Sequence, residues 1–446
     1  MSEDVRHIGI ELHGISVNVG CDHEPLLDYL VRLLDGAVRP VFDAPDLVVT
    51  GLWRTRAPVD GDNAFADASE TMTVPSFGKR MRMGGDELVW FNTHRDNNLQ
   101  LRFRRRGPQF LFDVAYHYYP TAEKLARYPA YAERKFFTLA RYLVQFPVAW
   151  HLARTRGWAL LHASAVAFDG DAVLVAGPGG AGKTTTCIGL MARPGARLVS
   201  ENLLFTDGTH VFPLCEPIRL TSDSLALLDA HQRGALVPLA VDGGAKHKVL
   251  FRPPEGDAGG PVRAAALFIP RFTECGSVTP IAAAVASEVL GAANRLTLEL
   301  SDYDWYTAAL DLVWPAPGQA MLQVSALAHL TASCPCYALG IDRNAGVDAV
   351  VDRILDCIGA HGAPGSERPA FAPEALRRVR RSFSGGGSAA ERSPHPSAHE
   401  PRAGDPRPRA TEPGRGAANA AASLGTPCAA ERHVSPTDAS VSGAAR

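Results

Sequence analysis

The sequence predicts an α/β protein, and three observations carry that prediction. Between residues 157 and 360, strand-like runs (Ala159 to Phe168, Ala172 to Ala176, Arg197 to Phe205, Ala264 to Ile269) alternate with helix-like runs (Gly182 to Arg193, Ser222 to Ala230, Gly346 to Ile358). At one junction, Ala176 to Gly182, a compact apolar strand passes through a glycine-rich loop directly into a helix. Hydrophobic residues make up 46% of the 446, enough for ordinary cores at about 150 residues per domain, so about three units are expected.

Composition narrows the function classes. There are 45 Lys and Arg against 47 Asp and Glu, a formal charge of −2, which argues against a general nucleic-acid coat. No apolar run reaches the roughly 18 residues of a membrane-spanning helix. The start, Met-Ser-Glu-Asp-Val-Arg-His, is polar, with no signal-type apolar stretch behind it, so a cytoplasmic protein is expected. The eight cysteines form no CxxC pair, and Cys334 and Cys336 read as small buried hydrophobes rather than metal ligands.

Residues 1 to 120 read as a smaller α/β domain. His7 to Leu12 alternates with strand period, Pro25 to Leu34 has helical spacing, and Asp46 to Thr50 is a further strand. Leu88 to Phe91 and Leu99 to Phe103 look like a hairpin around Asp96-Asn97-Asn98. Nothing in this region carries chemistry, and recognition of an acceptor is one use for it. Residues 121 to 156 have helical spacing broken by Pro129 and Pro147 and read as a core-packing connector. Residues 157 to 362 form the informative domain. From residue 363 onwards composition shifts to Pro, Gly, Ser, Ala and Arg. From Ser384 to the end there is no aromatic residue, so a disordered tail is expected.

The chemistry is concentrated in Gly177-Pro178-Gly179-Gly180-Ala181-Gly182-Lys183-Thr184, with Thr185 following, which fits GxxxxGK[ST] at every position. Glycines let successive backbone N–H groups turn towards one anion, and the helix beginning near Gly182 adds its positive dipole end. Lys183 is placed to reach β- and γ-phosphates, and the Thr184 hydroxyl to ligate Mg²⁺. The next strand runs into Glu201-Asn202, where an acidic metal ligand or general base belongs. Asn202 cannot take a proton, so Glu201 must carry any proton chemistry. His162, in an apolar strand one hairpin upstream, is placed to hydrogen-bond Glu201 and tune it.

His162, the Asp169-Gly170 hairpin, the phosphate loop and the acidic position after the next strand resemble, in that order, the C-terminal domain of HPr kinase/phosphorylase. More closely, the stretch resembles HPr-kinase-related proteins outside sugar regulation, which share a His-Ala-Ser-Ala strand, a Gly-Lys-Thr-Thr loop and a run like Glu216-Pro217-Ile218-Arg219-Leu220. The resemblance covers roughly Gly157 to Leu220. It implies a phosphoenolpyruvate-carboxykinase-like P-loop kinase fold and ATP-dependent phosphorylation of a serine hydroxyl. It implies that Glu201 matches the family's proposed base, Asn202 a metal ligand and His162 the histidine beside them. Glu201-Asn202 departs from the family's tandem aspartates.

The expectation is therefore an ATP- and Mg²⁺-dependent kinase. Glu201, His162, Lys183 and Arg219 would be its catalytic residues, and Thr184, Glu201 and Asn202 its metal ligands. Lys246-His247-Lys248 and Arg343-Asn344 are further candidates for supporting a transferring phosphate. The acceptor is a serine of a protein or peptide, with a small hydroxylated metabolite as the alternative. A second class, a nucleotide-binding regulatory protein with impaired catalysis, is motivated by Asn202. Neither nucleic acid nor membrane is an expected partner, and homo-oligomerisation stays open.

Overall fold

Alternating side chains build Arg6–Leu12 (β1) and Ile15–Cys21 (β2), an antiparallel pair that turns over His13 and Gly14, both at positive φ. In the computed structural model, residues 5–57, 64–65, 72–76, 79–93, 96–228, 230–234, 236–242, 248–252 and 260–360 are described. Glu24–Leu33 (α1) buries Leu26, Leu27, Leu30 and Leu33 on one face. The strands Val38–Arg39 (β3), Leu47–Arg54 (β4), Met72–Ser76 (β5), Lys79–Gly84 (β6), Glu87–Trp90 (β7), Leu99–Arg106 (β8) and Gln109–His117 (β9) complete a sheet ordered β3-β1-β2-β4-β9-β8-β7-β6-β5. The hairpin expected around residues 96 to 98 is present, with Trp90 opposite Leu101 and Leu88 opposite Phe103.

The connector is helical, as its spacing predicts, but only one of its prolines breaks it. Pro129 separates Ala122–Arg127 (α2) from Tyr131–Ala140 (α3). Pro147 lies in the first turn of Phe146–Arg156 (α4), and the chain enters it from α3 through a π-helical segment, Arg141–Gln145. A proline lacks the N–H and crowds the carbonyl four residues back, so a widened turn just before it keeps the helix running.

The second sheet holds the glycine-rich loop. Its strands are Ala159–Leu161 (β10), Ala163–Phe168 (β11), Asp171–Ala176 (β12), Ala196–Ser200 (β13), Leu204–Thr206 (β14) and His210–Pro213 (β15), with Lys183–Met191 (α5) after β12. A three-stranded sheet follows, from Ile218–Leu220 (β16), Pro238–Asp242 (β17) and Lys248–Phe251 (β18), with the short helices Ser222–Ala226 (α6) and Ala230–Gly234 (α7) between β16 and β17. The long strand Val262–Phe272 (β19) returns to the second sheet, joined by Ser277–Ile281 (β20) and Cys336–Ile341 (β21). Ala283–Arg295 (α8), Leu298–Val313 (α9), Gln319–Ser333 (α10) and Gly346–Ala360 (α11) complete the described chain. The order β10-β14-β15-β19-β12-β11-β13 includes both parallel (β12 with β19) and antiparallel (β11 with β12) pairs.

Two runs that read as single strands are each interrupted at the same level. β10 pairs with β14 and β11 with β13, while His162 separates β10 from β11 and residues 201–203 separate β13 from β14. Alternation in β11 sends Val166 and Phe168 to a core with α5 and α11. It sends Ala163, Ala165 and Ala167 to another core with α8 and α10. A third core joins the first sheet to the connector and α9, with Trp90, Phe103, Phe112, Trp150 and Tyr306 almost wholly buried. Among the described residues, no helix is long and apolar enough to cross a membrane. The tail expected from residue 363, together with Lys246 and His247, lies outside the described residues.

Candidate functional site

Strand register brings the sequence candidates to one sheet edge. β11 starts where β12 ends, with Ala163 opposite Ala176, and β13 ends beside the start of β11, with Ser200 opposite Ala165. Gly177, His162 and Glu201 therefore leave three neighbouring strands at the same end. The interruption of two ladders at this level frees backbone and side chains to form a site instead of a sheet.

The phosphate loop has the conformation that its glycines permit. Gly177, Gly180 and Gly182 have φ of 153°, 80° and 97°, a region that disfavours residues with a Cβ. At Gly182 a Cβ would also stand 3.1 Å from Ile341 Cδ1. Gly182 caps α5, so the N-terminal N–H groups and dipole of a nine-residue helix face the loop. Lys183 is buried and its Nζ donates to the carbonyls of Gly177, at 2.8 Å, and Pro178, at 2.9 Å. Burial pulls its ammonium pKa down to about 8, against the favourable charge of Glu201 and Glu299.

Thr184 donates its hydroxyl to Glu201 Oε1 at 2.7 Å. The first residue of the strand break is thus joined to the first turn of the loop helix. Both offer hard oxygens, the donors Mg²⁺ selects, and Mg²⁺ commonly takes only one or two protein ligands beside water and phosphate oxygens. Among the described residues no group of three or more His, Cys, Asp or Glu could hold a metal ion. The pair therefore fits Mg²⁺ shared with a polyphosphate rather than an all-protein metal site.

Asn202 turns the other way. Its φ of 82° is left-handed, a conformation asparagine tolerates better than most residues. Its Nδ2 donates to Glu216 Oε2 at 2.7 Å, and His162 also hydrogen-bonds it. Because Glu216 accepts from the amide nitrogen, Asn202 Oδ1 is left as the acceptor of that side chain. His162 Nδ1 lies 2.6 Å from the Thr297 hydroxyl, which itself donates to the Ala293 carbonyl at 2.9 Å. Burial, followed by the charge of Lys183, pushes His162 down to about 4, so it is neutral at pH 7. The structure thus joins His162 to Asn202 and Thr297, and joins Glu201 to Thr184.

Four residues of the site lie outside the sequence candidates: Arg141, Glu216, Thr297 and Glu299. Arg141, in the π-helical segment, places Nε and Nη2 each 2.7 Å from Glu216 Oε1, and both side chains are buried. Gln145, one turn on, donates to the carbonyl of Cys215, so the connector grips the turn that carries Glu216. Arg219 reaches Glu299 Oε1 at 3.3 Å, and the guanidiniums of Arg141 and Arg219 both lie over the Phe137 ring. Although burial raises the Glu299 pKa, Arg141 and Arg219 outweigh it and hold the carboxyl below its ordinary value. One signal was available: Arg141 is the lone charge in the stretch Leu139 to Phe146, which is apolar apart from Gln145 and the Tyr142 hydroxyl. Glu216 opens the Glu216-Pro217-Ile218-Arg219-Leu220 run, which singles it out without giving it a role, and Thr297 and Glu299 show no local pattern.

Arg343 lies with its Cζ 3.8 Å from the centroid of Phe272, whose ring borders Gly182, so it stands at the helix end of the loop. Asn344 bonds through its backbone N–H to Asp342. Lys248 opens β18. No protein-family model matches this chain, and no curated protein matches it either.

Proposed function

We propose that this chain is an ATP- and Mg²⁺-dependent phosphotransferase acting on a hydroxyl, most readily a serine of a polypeptide. The proposal includes a phosphoenolpyruvate-carboxykinase-like P-loop domain of the HPr-kinase-related kind. The observation that carries it is the Thr184–Glu201 hydrogen bond beside Lys183, at the mouth of a glycine loop that ends on a helix N-terminus. Triphosphate binding draws Lys183 Nζ from the Gly177 and Pro178 carbonyls onto phosphate oxygens, while loop N–H groups hold the rest. Thr184 and Glu201 would hold Mg²⁺, which would supply neutralisation of the charge on the transferring group. Glu201 accepts the proton of the acceptor hydroxyl. His162 is neutral and acts by positioning Asn202 and hence the Glu201 turn.

Labelled γ-phosphate transfer into a host extract, split into macromolecular and small-molecule fractions, tests the reading. Wild type should label one fraction. Lys183→Ala should abolish ATP binding and labelling, and Glu201→Gln should keep binding but cut labelling at least about 100-fold, the usual range for a general base. ATP binding with equal labelling by wild type and Glu201→Gln would reject Glu201 as the base. The second reading, a regulatory nucleotide-binding protein, is favoured by the engagement of Asn202 with Glu216, which leaves one carboxylate at the loop. It predicts nucleotide binding with no transfer by wild type to either fraction.

A further inference from the structure

The glycine loop stands between two unlike flanks. Across the sheet the strands run β13, β11, β12, β19 and β21, each paired with the next. On the β13 flank Thr184 and Glu201 are joined at 2.7 Å. On the other flank β19 runs parallel to β12, and β21 parallel to β19. The β12–β19 ladder stops at Val175 opposite Phe268, while β19 and β21 continue to Phe272 opposite Ile341. Their ends therefore rise beside the loop: a Cβ at Gly177 would stand 3.6 Å from Pro270 Cδ, and one at Gly182 would stand 3.9 Å from Phe272 Cζ. The carboxyl ends of parallel strands are where open α/β sheets take their ligands.

Phe272 is 41% exposed at this place. Arg343, in the turn after β21, is exposed and holds its Cζ 3.8 Å from the Phe272 centroid. That separation is contact between two planar groups, so the ring covers one face of the guanidinium and leaves the other for a further planar group. The turn is fixed in advance. Asn344 donates its backbone N–H to Asp342 Oδ1 at 2.8 Å, and α11, which follows at Gly346, closes Val347 and Val351 on Gly189 of α5.

We propose that the Phe272–Arg343 stack is the platform for the base of the bound nucleotide, with adenine lying on the open face of the guanidinium. The transferring end of a triphosphate belongs with Thr184 and Glu201, so its nucleoside leaves the loop on the opposite flank, where this stack stands. Stacking on a planar cation holds a base by its π-face. Arg343 thereby contacts the base instead of the transferring phosphate. This rests on the phosphotransferase reading and adds what holds the nucleoside.

Calorimetric titration of the full chain with Mg²⁺ and either ATP or ribose triphosphate, which keeps the sugar and phosphates and lacks the base, tests the platform. Wild type should bind ATP at least about tenfold more tightly than ribose triphosphate. Arg343→Lys keeps the charge and loses the plane, and Phe272→Ala removes the support beneath it. Each should weaken ATP at least about fivefold and leave ribose triphosphate unchanged, which also shows that the loop of the variant is intact. A phosphate contact at Arg343 predicts the opposite pattern: Arg343→Lys harmless with both ligands, and Arg343→Ala weakening both alike. That pattern, or equal affinity of wild type for the two ligands, would overturn the platform while leaving phosphate binding by the loop in place. Binding of neither ligand by wild type would overturn the phosphotransferase reading and the platform with it.

Discussion

Asn202 donates its side-chain amide to Glu216 at 2.7 Å, and through that bond a left-handed residue in a strand break is tied to a carboxylate itself held by Arg141. The bond accounts for an amide at this position. A carboxylate at 202 would meet the Glu216 carboxylate in a buried setting, and two such groups cannot both stay ionised cheaply. Asn202→Asp should therefore lower stability by about 2 kcal/mol near pH 7.5, part of it regained towards pH 5 as the pair takes up a proton. Urea unfolding at the two pH values reads this directly, and equal losses at both would reject the repulsion argument.

Arg141 and Glu216 form a buried ion pair, whose loss of one partner strands the other. Arg141→Met leaves an uncompensated carboxylate and should cost about 3–5 kcal/mol. Glu216→Gln in the same chain removes the stranded charge while keeping an acceptor for Asn202, so the double variant should recover about 2 kcal/mol of that loss. A double-mutant cycle by denaturant unfolding measures the coupling. Additive losses would mean that the two groups do not act as a pair.

The glycine loop between β12 and α5 and the strand end before Glu201 are legible in the sequence because each is fixed by a short contiguous pattern: eight residues for the loop, one apolar run for the strand end. The partners of these residues were out of reach for the opposite reason. Thr297 meets His162 across 135 residues, and Arg141 meets Glu216 across 75, so no local spacing announces either. The break at His162 was hidden too, since Leu161-His162-Ala163 reads as continuous strand and only pairing with β13 and β14 splits it. α10 escaped notice because Met321, Leu322 and Val324 are exposed while Leu327 and Leu330 are buried, which leaves no single apolar stripe to count. Pro147 misled through chemistry that is usually sound, since a proline inside a helical pattern breaks it unless a widened turn precedes it.

His162 makes stability depend on pH in a predictable window. Its ordinary value of 6.5 falls to about 4 in the folded chain, chiefly through burial, so the unfolded chain takes up a proton that the folded chain refuses. The contribution is fully present above pH 6.5 and is lost as pH falls from 6.5 towards 4, with a total of about 3 kcal/mol at 1.36 kcal/mol per unit. His162→Gln, which keeps polar contacts without titrating, should flatten the stability profile across that window. An unchanged slope in the variant would assign the acid sensitivity to other groups.

Lys183 supplies a test of nucleotide binding that does not require turnover. Its pKa, lowered to about 8 by burial, leaves about half of the molecules without the ammonium proton at pH 8. A polyphosphate on the loop brings negative charge to Nζ and restores that proton. Binding at pH 8 should therefore take up about half a proton per site and at pH 6 almost none. Affinity should fall as pH rises through 8, because free protein must then be protonated to bind. Calorimetry of ATP binding in buffers of different ionisation enthalpy measures the uptake. Lys183→Arg, whose guanidinium keeps its proton throughout, should bind with no uptake at either pH. ATP binding by wild type with no buffer dependence at pH 8 would mean that Lys183 gains no proton on binding, which rejects its lowered pKa as the source of the pH dependence.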